Sequence, residues 1–495
     1  MNYHSTRSSR EKISAAAAVL RGIAPDGGLY MPERLELGFD WRKLMGAPAQ
    51  EMAARILGAL LPDFENMRDL VGKAYRGKFE TEELTPLVPV GDRYVLELFR
   101  GPTSAFKDVA LSMLPQLITA ARRQEHMEKE VLILTATSGD TGKAALAGFA
   151  DVPGTKICVF YPDGGVSAVQ KAQMVTQAGK NVRVCAVRGN FDDAQTGVKR
   201  IFAACAEKDL LAGKGVALSS ANSINIGRLA PQITYYFKAY SDLLAQGKIS
   251  LGDEVNFTVP TGNFGDILAG YFAKCLGLPV GRLICASNAN DVLTDFIRTG
   301  VYDRRRPLHK TVSPSMDILV SSNLERLLYL MSGESCGFVA ERMEELASRG
   351  VYAVPEDMKE KIQREFWAGC CGDGDTEATI REVWEKRGYL CDTHTAVGWN
   401  VSQQYLEETG DRRPMVVLST ASPYKFPAAV LEALGGDGRG DEFRQMETLG
   451  EMTGVPIPKN LAGLRGKEAR FRDVIDRESM LDYVLALGED AAWEE

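Results

Sequence analysis

The sequence predicts an α/β fold in which parallel β-sheets are covered by helices on both faces. From about residue 93 onward, short apolar runs rich in β-branched residues alternate with longer runs of helical periodicity. Several apolar runs end in glycine-containing loops that lead directly into a helical run, as in βα units. The 495-residue chain is 45% hydrophobic and 25% charged, so it has enough apolar material for a large core.

The N-terminal part of the chain has a different pattern, because short helical runs alternate there with proline and glycine breaks. The clearest amphipathic helix is QEMAARILGALL at residues 50–61. We therefore expect a small, mainly helical N-terminal domain over residues 1–92, followed by the α/β region over residues 93–435.

Within the α/β region, apolar runs predict buried strands at residues 130–137, 156–162, 181–187, 215–220, 255–260, 282–287 and 415–421. DVALSMLPQL, after the Gly101-Pro102 turn, is predicted to be a helix. Residues 321–410 are predicted to be mainly helical and include DMKEKIQREFWAG at 357–369. A polar, glycine-rich linker at 435–442 opens the tail, residues 436–495, in which RESMLDYVLALG predicts one closing helix.

Charge and cysteine content argue against several classes of protein. A net charge of −8 and a pI near 5.4 disfavour a broad surface for nucleic acid or for an anionic membrane. No apolar run approaches the about 18–20 residues of a membrane-spanning helix. The nine cysteines include no CxxC pair and only four histidines are present, so neither a metal site nor a disulfide framework is indicated. We therefore expect a cytoplasmic protein that binds small molecules.

Three loops that follow predicted strands carry groups suited to anions. TSGDTG at 137–142 and TGNFGD at 261–266 place glycines at the start of a helix, where backbone N–H groups suit a phosphate. We expect Gly262 and Gly265 to allow tight turns with positive φ. NSINIGR at 222–228 adds the guanidinium of Arg228, which suits phosphate or carboxylate. Each loop alone has a purely structural interpretation, but together they indicate a site for an anionic ligand at the carboxyl ends of strands.

Lys107 lies in GPTSAFKDVAL, residues 101–111, between a Gly-Pro turn and a predicted helix. A lysine that is partly buried in an apolar turn has a lowered pKa, and its neutral amine can form a Schiff base. The alternative is a surface lysine paired with Asp108. The local sequence leaves both interpretations open.

The combination and order of these motifs resemble the threonine synthase family. The stretches that carry the resemblance are YHSTRSSREKIS near the N-terminus, GPTSAFKD, TATSGDTGKAA, ANSINIGR, PTGNFGDILAGY, SMDILVSSNLERLL, DTHTAVG and LSTA. The resemblance reaches to about residue 430 and is strongest with the longer branch of the family, which has an added N-terminal domain. It implies a pyridoxal-phosphate enzyme of fold type II, the tryptophan-synthase-β-like fold, with the active site between two parallel-sheet domains.

The resemblance also implies a role for individual residues. Lys107 would bind pyridoxal phosphate as a Schiff base and then act as the catalytic base. The other cofactor-binding residues would be Gly262, Asn263, Phe264, Gly265 and Asp266 around the phosphate, Thr420 at the pyridine nitrogen and Asp140 near the 3′ oxygen. The substrate-binding residues would be Ser138, Gly139 and Thr141 at the carboxylate, and Asn222, Ser223 and Arg228 at the phosphate. Many fold type II relatives carry asparagine at the position of Asp140.

The reaction implied by the resemblance is the conversion of O-phospho-L-homoserine and water to L-threonine and phosphate by a monomer or homodimer. One alternative is another fold type II enzyme, a phospho-lyase or a serine/threonine dehydratase, which would share Lys107 and the glycine loops. A dehydratase would not need the Arg228 cluster. A second alternative is a non-catalytic phosphate-binding protein.

We interpret His394, which opens an apolar helical run, as a capping or packing residue.

Overall fold

The computed structural model describes residues 1–489 and 493, apart from residues 36, 37, 39, 138, 165, 209 and 212. The strands are β1 (Tyr3–Ser5), β2 (Ser8–Ile13), β3 (Tyr30–Pro32), β4 (Leu87–Val90), β5 (Arg93–Glu97), β6 (Glu130–Ala136), β7 (Thr155–Pro162), β8 (Val182–Arg188), β9 (Val216–Ser219), β10 (Val255–Pro260), β11 (Val280–Ser287), β12 (Val301–Asp303), β13 (Val351–Ala353), β14 (Phe366–Cys370), β15 (Met415–Ser419) and β16 (Val474–Asp476).

The helices are α1 (Ala15–Arg21), α2 (Ala49–Leu60), α3 (Met67–Tyr75), α4 (Lys107–Gln124), α5 (Asp140–Phe149), α6 (Ala168–Val175), α7 (Phe191–Lys208), α8 (Ile226–Leu229), α9 (Ile233–Ala245), α10 (Gly265–Cys275), α11 (Val292–Thr299), α12 (Leu324–Met331), α13 (Cys336–Arg349), α14 (Glu356–Glu365), α15 (Asp373–Arg387), α16 (Thr393–Thr409), α17 (Pro427–Ala433), α18 (Glu442–Thr453), α19 (Lys459–Ala462) and α20 (Met480–Leu487). Short 3₁₀ turns lie at Trp41–Leu44, Ala230–Gln232, Pro314–Met316, Pro423–Lys425 and Arg477–Ser479. Among the helices so described, none is long and apolar enough to span a bilayer.

A five-stranded, all-parallel sheet has the order β16-β8-β7-β6-β9. Its central strand, β7, is buried at every residue, which explains why the strand is a continuous apolar run rather than an alternating one. Helices cover the sheet, as the strand–helix alternation predicts.

A six-stranded sheet has the order β14-β11-β10-β15-β5-β4, and all its pairings are parallel except the β4–β5 hairpin. The structure corrects one prediction here. Helix α14 ends at Glu365, and the following FWAGC, expected to continue the helix, forms strand β14 at the sheet edge, where Phe366 pairs with Leu283. The helical pattern of the charged residues stops at this point, and pairing with β11 decides the conformation of the apolar residues that follow.

The N-terminal segment contains α1 to α3, as expected for a mainly helical region, and also an antiparallel sheet of order β2-β1-β3 that the sequence did not indicate. Its apolar side chains belong to a continuous hydrophobic cluster that extends through α4 into both parallel sheets. The domain boundary at residue 92 remains a prediction, and the strands on either side of it, β4 and β5, form one hairpin.

The tail, residues 436–495, contacts both parallel sheets or the helices that cover them. Helix α18 packs against α17 and α6, and β16 adds a strand to the edge of the five-stranded sheet beside β8. The predicted closing helix is α20, which packs against α7.

Residues from both sheets meet at one place because they follow the carboxyl ends of parallel strands. Asp140 follows β6 in the five-stranded sheet. Gly262 follows β10 and Thr420 follows β15 in the six-stranded sheet, and the turn that carries Lys107 follows β5. The predicted site residues therefore lie where the two sheets face each other.

Candidate active site

Lys107 is the first residue of α4 and follows a turn that Asp108 stabilises. The Asp108 carboxylate accepts hydrogen bonds from the Thr103 backbone N–H (2.8 Å) and hydroxyl (2.5 Å). The Phe106 N–H donates to the Thr420 carbonyl (2.8 Å), which joins the turn to the end of β15. The alternative of a surface Lys107–Asp108 pair is therefore wrong: Asp108 is engaged by the turn, and the Lys107 side chain is only 12% exposed.

The Lys107 amine lies among charged groups from several elements. Its Nζ is 4.0 Å from Asp140 Oδ2 and 3.5 Å from the Ser315 hydroxyl. Burial is the main influence and lowers the pKa of Lys107; the positive charges of Lys425 and Arg228 lower it further, and the Asp140 carboxylate opposes them. The neutral, nucleophilic form of the amine is therefore more accessible than in a solvent-exposed lysine.

Asp140, the first residue of α5, is buried and has several partners. Its Oδ1 is 2.6 Å from Lys425 Nζ and accepts a hydrogen bond from Gln170 Nε2 at 2.9 Å. Burial opposes ionisation of Asp140, but Lys425, Lys107 and these hydrogen bonds hold the pKa of the carboxyl well below its usual value. The sequence did not identify Lys425 as a site residue; its one signal was its position five residues after Thr420, in SPYKFP.

The loop before α5 is shaped by its glycines and by Thr137. The Thr137 hydroxyl oxygen accepts hydrogen bonds from the N–H groups of Gly139 (2.9 Å) and Gly142 (3.0 Å). Gly139 has φ of 149°, at which any larger residue would be strained, and a Cβ there would lie 2.4 Å from the Gln170 amide nitrogen and displace that side chain. Thr141 is half-buried next to Asp140, and Ser138 lies outside the described residues.

The loop after β10 brings residues 262–265 to the start of α10. The expected positive φ at Gly262 and Gly265 is wrong, because in this loop the positive φ, 63°, falls on the buried Phe264. Gly262 is needed for space instead: a Cβ there would lie 2.8 Å from the Ser315 carbonyl oxygen. A Cβ at Gly265 would lie 3.3 Å from the Asn323 amide nitrogen.

Asn263 and Asp266 complete this loop. The Asn263 side-chain oxygen accepts a hydrogen bond from the Ser322 hydroxyl (3.1 Å). Asp266 is buried, its Oδ1 accepts from the Ile267 N–H (2.9 Å), and burial raises the pKa of Asp266 to about 6. The backbone at the start of α10, rather than the Asp266 carboxylate, is therefore the feature that suits an anion.

Arg228, in α8, is a buried cation with unused hydrogen-bonding capacity. Its Nη1 donates to the Ala221 carbonyl (2.5 Å), whereas its Nε finds no partner among the described residues. Burial lowers the pKa of Arg228 to about 10. Asn222 is exposed and Ser223 half-buried in the loop that leads to it. A buried guanidinium with an unpaired N–H suits a bound phosphate or carboxylate.

Asn323 links the Arg228 loop to the loop after β10. Its side-chain amide donates to the carbonyls of Ser223 (3.2 Å) and Asn263 (3.1 Å). Arg326, buried on the same helix turn, donates to the carbonyls of Tyr30 (3.1 Å) and Ile224 (2.7 Å) and to the Asn323 side chain (2.5 Å). These residues hold the Arg228 loop and the loop after β10, hereafter the two anion loops, next to each other. No local sequence pattern indicates this role.

His394 positions the Ser315 segment. Its Nδ1 is 2.8 Å from the Asp392 carboxylate, and its Nε2 accepts a hydrogen bond from the Ser315 backbone N–H (3.1 Å). The cap of α16 is Asp392, which accepts from the N–H groups of His394 and Thr395. Of the two expected roles, capping and packing, His394 has the second: its ring packs 4.9 Å from the Phe426 ring. It also holds the segment whose Ser315 hydroxyl lies 3.5 Å from Lys107 Nζ.

These residues fit pyridoxal phosphate. Lys107 offers a buried amine that can react with an aldehyde. The Ser315 carbonyl lies so close to Gly262, just before α10, that the Cβ of any larger residue would clash with it. Thr420 offers a neutral hydroxyl beside the Lys107 turn and is 4% exposed. A second anion loop with Arg228 is left for a phosphorylated or carboxylated substrate.

Three family models match the chain in order. "Threonine synthase N terminus" matches residues 2–75, "Pyridoxal-phosphate dependent enzyme" matches residues 81–356, and "Threonine synthase, C-terminal" matches residues 395–484. The tail beyond residue 440, for which the sequence offered no known motif, therefore also falls largely within a family model.

Similar proteins agree with these matches. Threonine synthase from Saccharomyces cerevisiae is 37% identical over 491 residues, which cover 90% of this chain and 93% of that protein. Human threonine synthase-like 1 is 40% identical over 443 residues, and the chain spans only 59% of its length. The crystal structure of PLP-bound threonine synthase from Brucella melitensis superposes with a TM-score of 0.87 at 38% identity, covering 99% of this chain and 98% of that one. The fold type II prediction is confirmed.

Proposed function

Because the chain belongs to the threonine synthase family and uses pyridoxal 5′-phosphate, we propose that it converts O-phospho-L-homoserine and water into L-threonine and phosphate. The observation that carries this proposal is the pair of anion loops that flank one buried lysine. The loop at residues 262–265 suits the cofactor phosphate, and the buried Arg228 supplies a second, separate cation for a phosphorylated substrate.

In the proposed active site, Lys107 would bind the cofactor aldehyde and the start of α10 would bind its phosphate. Thr420 would face the ring nitrogen, and Asp140 would lie near the 3′ oxygen. When bound, the cofactor withdraws electrons from the substrate Cα and so makes the Cα proton acidic. A hydroxyl at the ring nitrogen, in place of a carboxylate, keeps that withdrawal moderate.

Lys107 and Arg228 have different tasks in this proposal. The Lys107 Nζ, whose pKa is lowered by burial, accepts the proton that leaves the substrate Cα. Arg228, with Asn222 and Ser223, binds the substrate phosphate and stabilises the negative charge that develops as phosphate leaves Cγ. A proton leaves Cβ as phosphate leaves Cγ; Cγ then gains a proton and becomes the methyl group, water adds its hydroxyl at Cβ, and Cα regains a proton, so that the products are threonine and phosphate.

Exclusion of bulk water is the proposed task of the N-terminal segment. Glu325 of α12 accepts hydrogen bonds from the Thr6 hydroxyl (2.5 Å) and from Arg7 (2.8 and 2.9 Å). Arg326 binds the Tyr30 carbonyl in β3 (3.1 Å). These contacts hold the N-terminal sheet on the helix that borders both anion loops, where it limits solvent access.

The test is to incubate the purified protein with O-phospho-L-homoserine and identify the products. We expect equal amounts of threonine and phosphate, and borohydride reduction is expected to fix the cofactor mass on Lys107. Lys107→Ala should abolish turnover, whereas Lys238→Ala, which removes another buried lysine on α9, should not. If the product is 2-oxobutanoate, the enzyme is a phospho-lyase or dehydratase; if Lys107→Ala retains turnover, the assignment of the base is wrong.

A further inference from the structure

A second lysine, Lys425, lies in the site without a role in the proposed reaction. Its side chain is fully buried, with 0% exposed. Its Nζ is 2.6 Å from Asp140 Oδ1 and donates to the Thr103 carbonyl at 3.1 Å. Burial of two charges costs free energy even when they are paired, so stability alone does not explain the Lys425–Asp140 pair.

The pair fixes the orientation of the Asp140 carboxylate. Oδ1 is occupied by Lys425 and Gln170, which leaves Oδ2 as the oxygen nearest to Lys107, at 4.0 Å. Lys425 is itself anchored to the turn that leads to Lys107 through the Thr103 carbonyl. The two lysines therefore contact opposite oxygens of one carboxylate.

Charged groups face this arrangement from several elements. Lys107 is influenced by Asp140 of α5, Lys425 of the turn after β15, Arg228 of α8 and Asp266 of α10. Lys425 also acts on Asp108 of α4 and on Lys143 of α5. Of these carboxylates, Asp140 forms ion pairs with both Lys107 and Lys425, so it links the two lysines.

We propose that Lys425 is a positioning residue. Its positive charge balances the negative charge of Asp140, and its contact with Oδ1 turns Oδ2 toward Lys107. Lys107 therefore lies beside an ion pair that has no net charge. This inference rests on the part of the proposed function that places the cofactor on Lys107. The inference also explains why this chain can carry aspartate at position 140. An asparagine there would be neutral and would need no positive partner, whereas Asp140 and Lys425 together form a neutral unit.

Removal of Lys425 should raise the proton affinity of the nitrogen of Lys107. The change removes a nearby positive charge, and it leaves Asp140 with Lys107 as its closest cation. Both effects favour the protonated nitrogen. Asp140→Asn has the opposite effect, because it removes the negative charge. The combined variant removes both members of the neutral unit and should behave much like the unmodified protein.

The experiment is a pH titration, between pH 5 and 11, of the visible absorption band of the cofactor-loaded full-length protein. It compares the unmodified protein with Lys425→Met, Asp140→Asn and the double variant. The matched control is Lys238→Met, which removes another buried lysine from an ion pair, with Asp242 at 2.5 Å, on α9. Circular dichroism of each variant verifies folding.

We expect Lys425→Met to raise the midpoint by about one pH unit or more, a tenfold change in proton affinity. Asp140→Asn should lower it, and the double variant and Lys238→Met should lie within about half a pH unit of the unmodified protein. A Lys425→Met midpoint equal to that of the unmodified protein overturns the proposal, as does a double variant displaced as far as Lys425→Met. Should Lys425→Met fail to fold, the double variant decides: the proposal requires that it fold and titrate near the unmodified protein, and its failure to do so overturns the proposal.

This experiment separates the inference from the proposed reaction because it needs no O-phospho-L-homoserine. A protein that makes no threonine but shows this titration pattern refutes the reaction and supports the role of Lys425. A protein that makes threonine but shows no dependence on Lys425 does the reverse.

Discussion

Arg228→Met should make the protein more stable and much less active. Burial of the Arg228 charge destabilises the protein without a ligand, and the same charge is proposed to bind the substrate phosphate. Burial lowers the pKa of Arg228 from 12.5 to about 10. The difference of 2.5, at 1.36 kcal/mol for each pH unit, corresponds to about 3 kcal/mol of unfavourable burial of the charge. Methionine fills a similar volume without a charge.

One loss offsets part of this gain. The hydrogen bond from Arg228 Nη1 to the Ala221 carbonyl disappears, which costs about 1–2 kcal/mol. The net expectation is a rise of about 1–2 kcal/mol in the free energy of unfolding in phosphate-free buffer. In catalysis, the loss of a cation that stabilises the departing phosphate should lower kcat by about 10²–10³-fold.

Arg326→Met is the matched control, because burial lowers the pKa of Arg326 to about 10 as well. The Arg326 guanidinium, however, donates to the carbonyls of Tyr30 and Ile224 and to the Asn323 side chain. Its removal leaves these three buried acceptors without this donor, at a cost of about 1–3 kcal/mol each, which exceeds the about 3 kcal/mol gained by not burying the charge. Arg326→Met should therefore destabilise the protein, opposite in sign to Arg228→Met.

The assay is urea unfolding of both variants, with and without inorganic phosphate, together with steady-state kinetics on O-phospho-L-homoserine. Phosphate should stabilise the unmodified protein more than it stabilises Arg228→Met. If Arg228→Met is as destabilised as Arg326→Met, then Arg228 is a structural residue and the reasoning fails. A variant that keeps its kcat would refute the phosphate-binding role directly.

Two further substitutions test the loop after β10. Burial raises the pKa of Asp266 from 3.8 to about 6, so the folded state binds this proton more tightly than the unfolded state, and stability is lost as the pH rises from about 4 through 6. Asp266→Asn should therefore gain stability relative to the unmodified protein over this window, by up to about 3 kcal/mol, and remain level above it; urea unfolding between pH 4 and 8 checks this, and a pH-independent difference would contradict it. Gly262→Ala places a Cβ 2.8 Å from the Ser315 carbonyl and should weaken cofactor binding by about tenfold or more in an absorbance titration, whereas Gly58→Ala, in open space on α2, should leave it unchanged.

The strands and helices that depend on local pattern could be predicted from the sequence. β6, β7, β8, β10 and β11 lie within two residues of their predicted positions, because strands buried on both faces need continuous apolar runs. β14 could not be predicted in the same way. Its residues follow a helix without a break, and only pairing with β11 selects the extended conformation.

The candidate site divides in a similar way. The glycine loops and Arg228 could be predicted as anion-binding segments, because the glycines and the arginine lie in loops that follow predicted strands in the sequence. The contacts of Lys425 with Asp140 and of Asn323 with Ser223 join segments that are far apart in the chain, so no local sequence pattern predicts them. The glycines also show the limit of local reasoning: Gly262 is required by the approach of Ser315, which a turn rule does not reveal.

The position of β16 has a consequence for biosynthesis. The five-stranded sheet that carries Asp140 receives its edge strand from residues Val474–Asp476, which lie far from β8 in the chain. During translation, at about 5–20 residues per second, β8 therefore keeps an open, largely apolar edge until residues 474–476 have been synthesised. Nascent chains truncated before residue 474 would keep this edge open and are expected to be prone to aggregation.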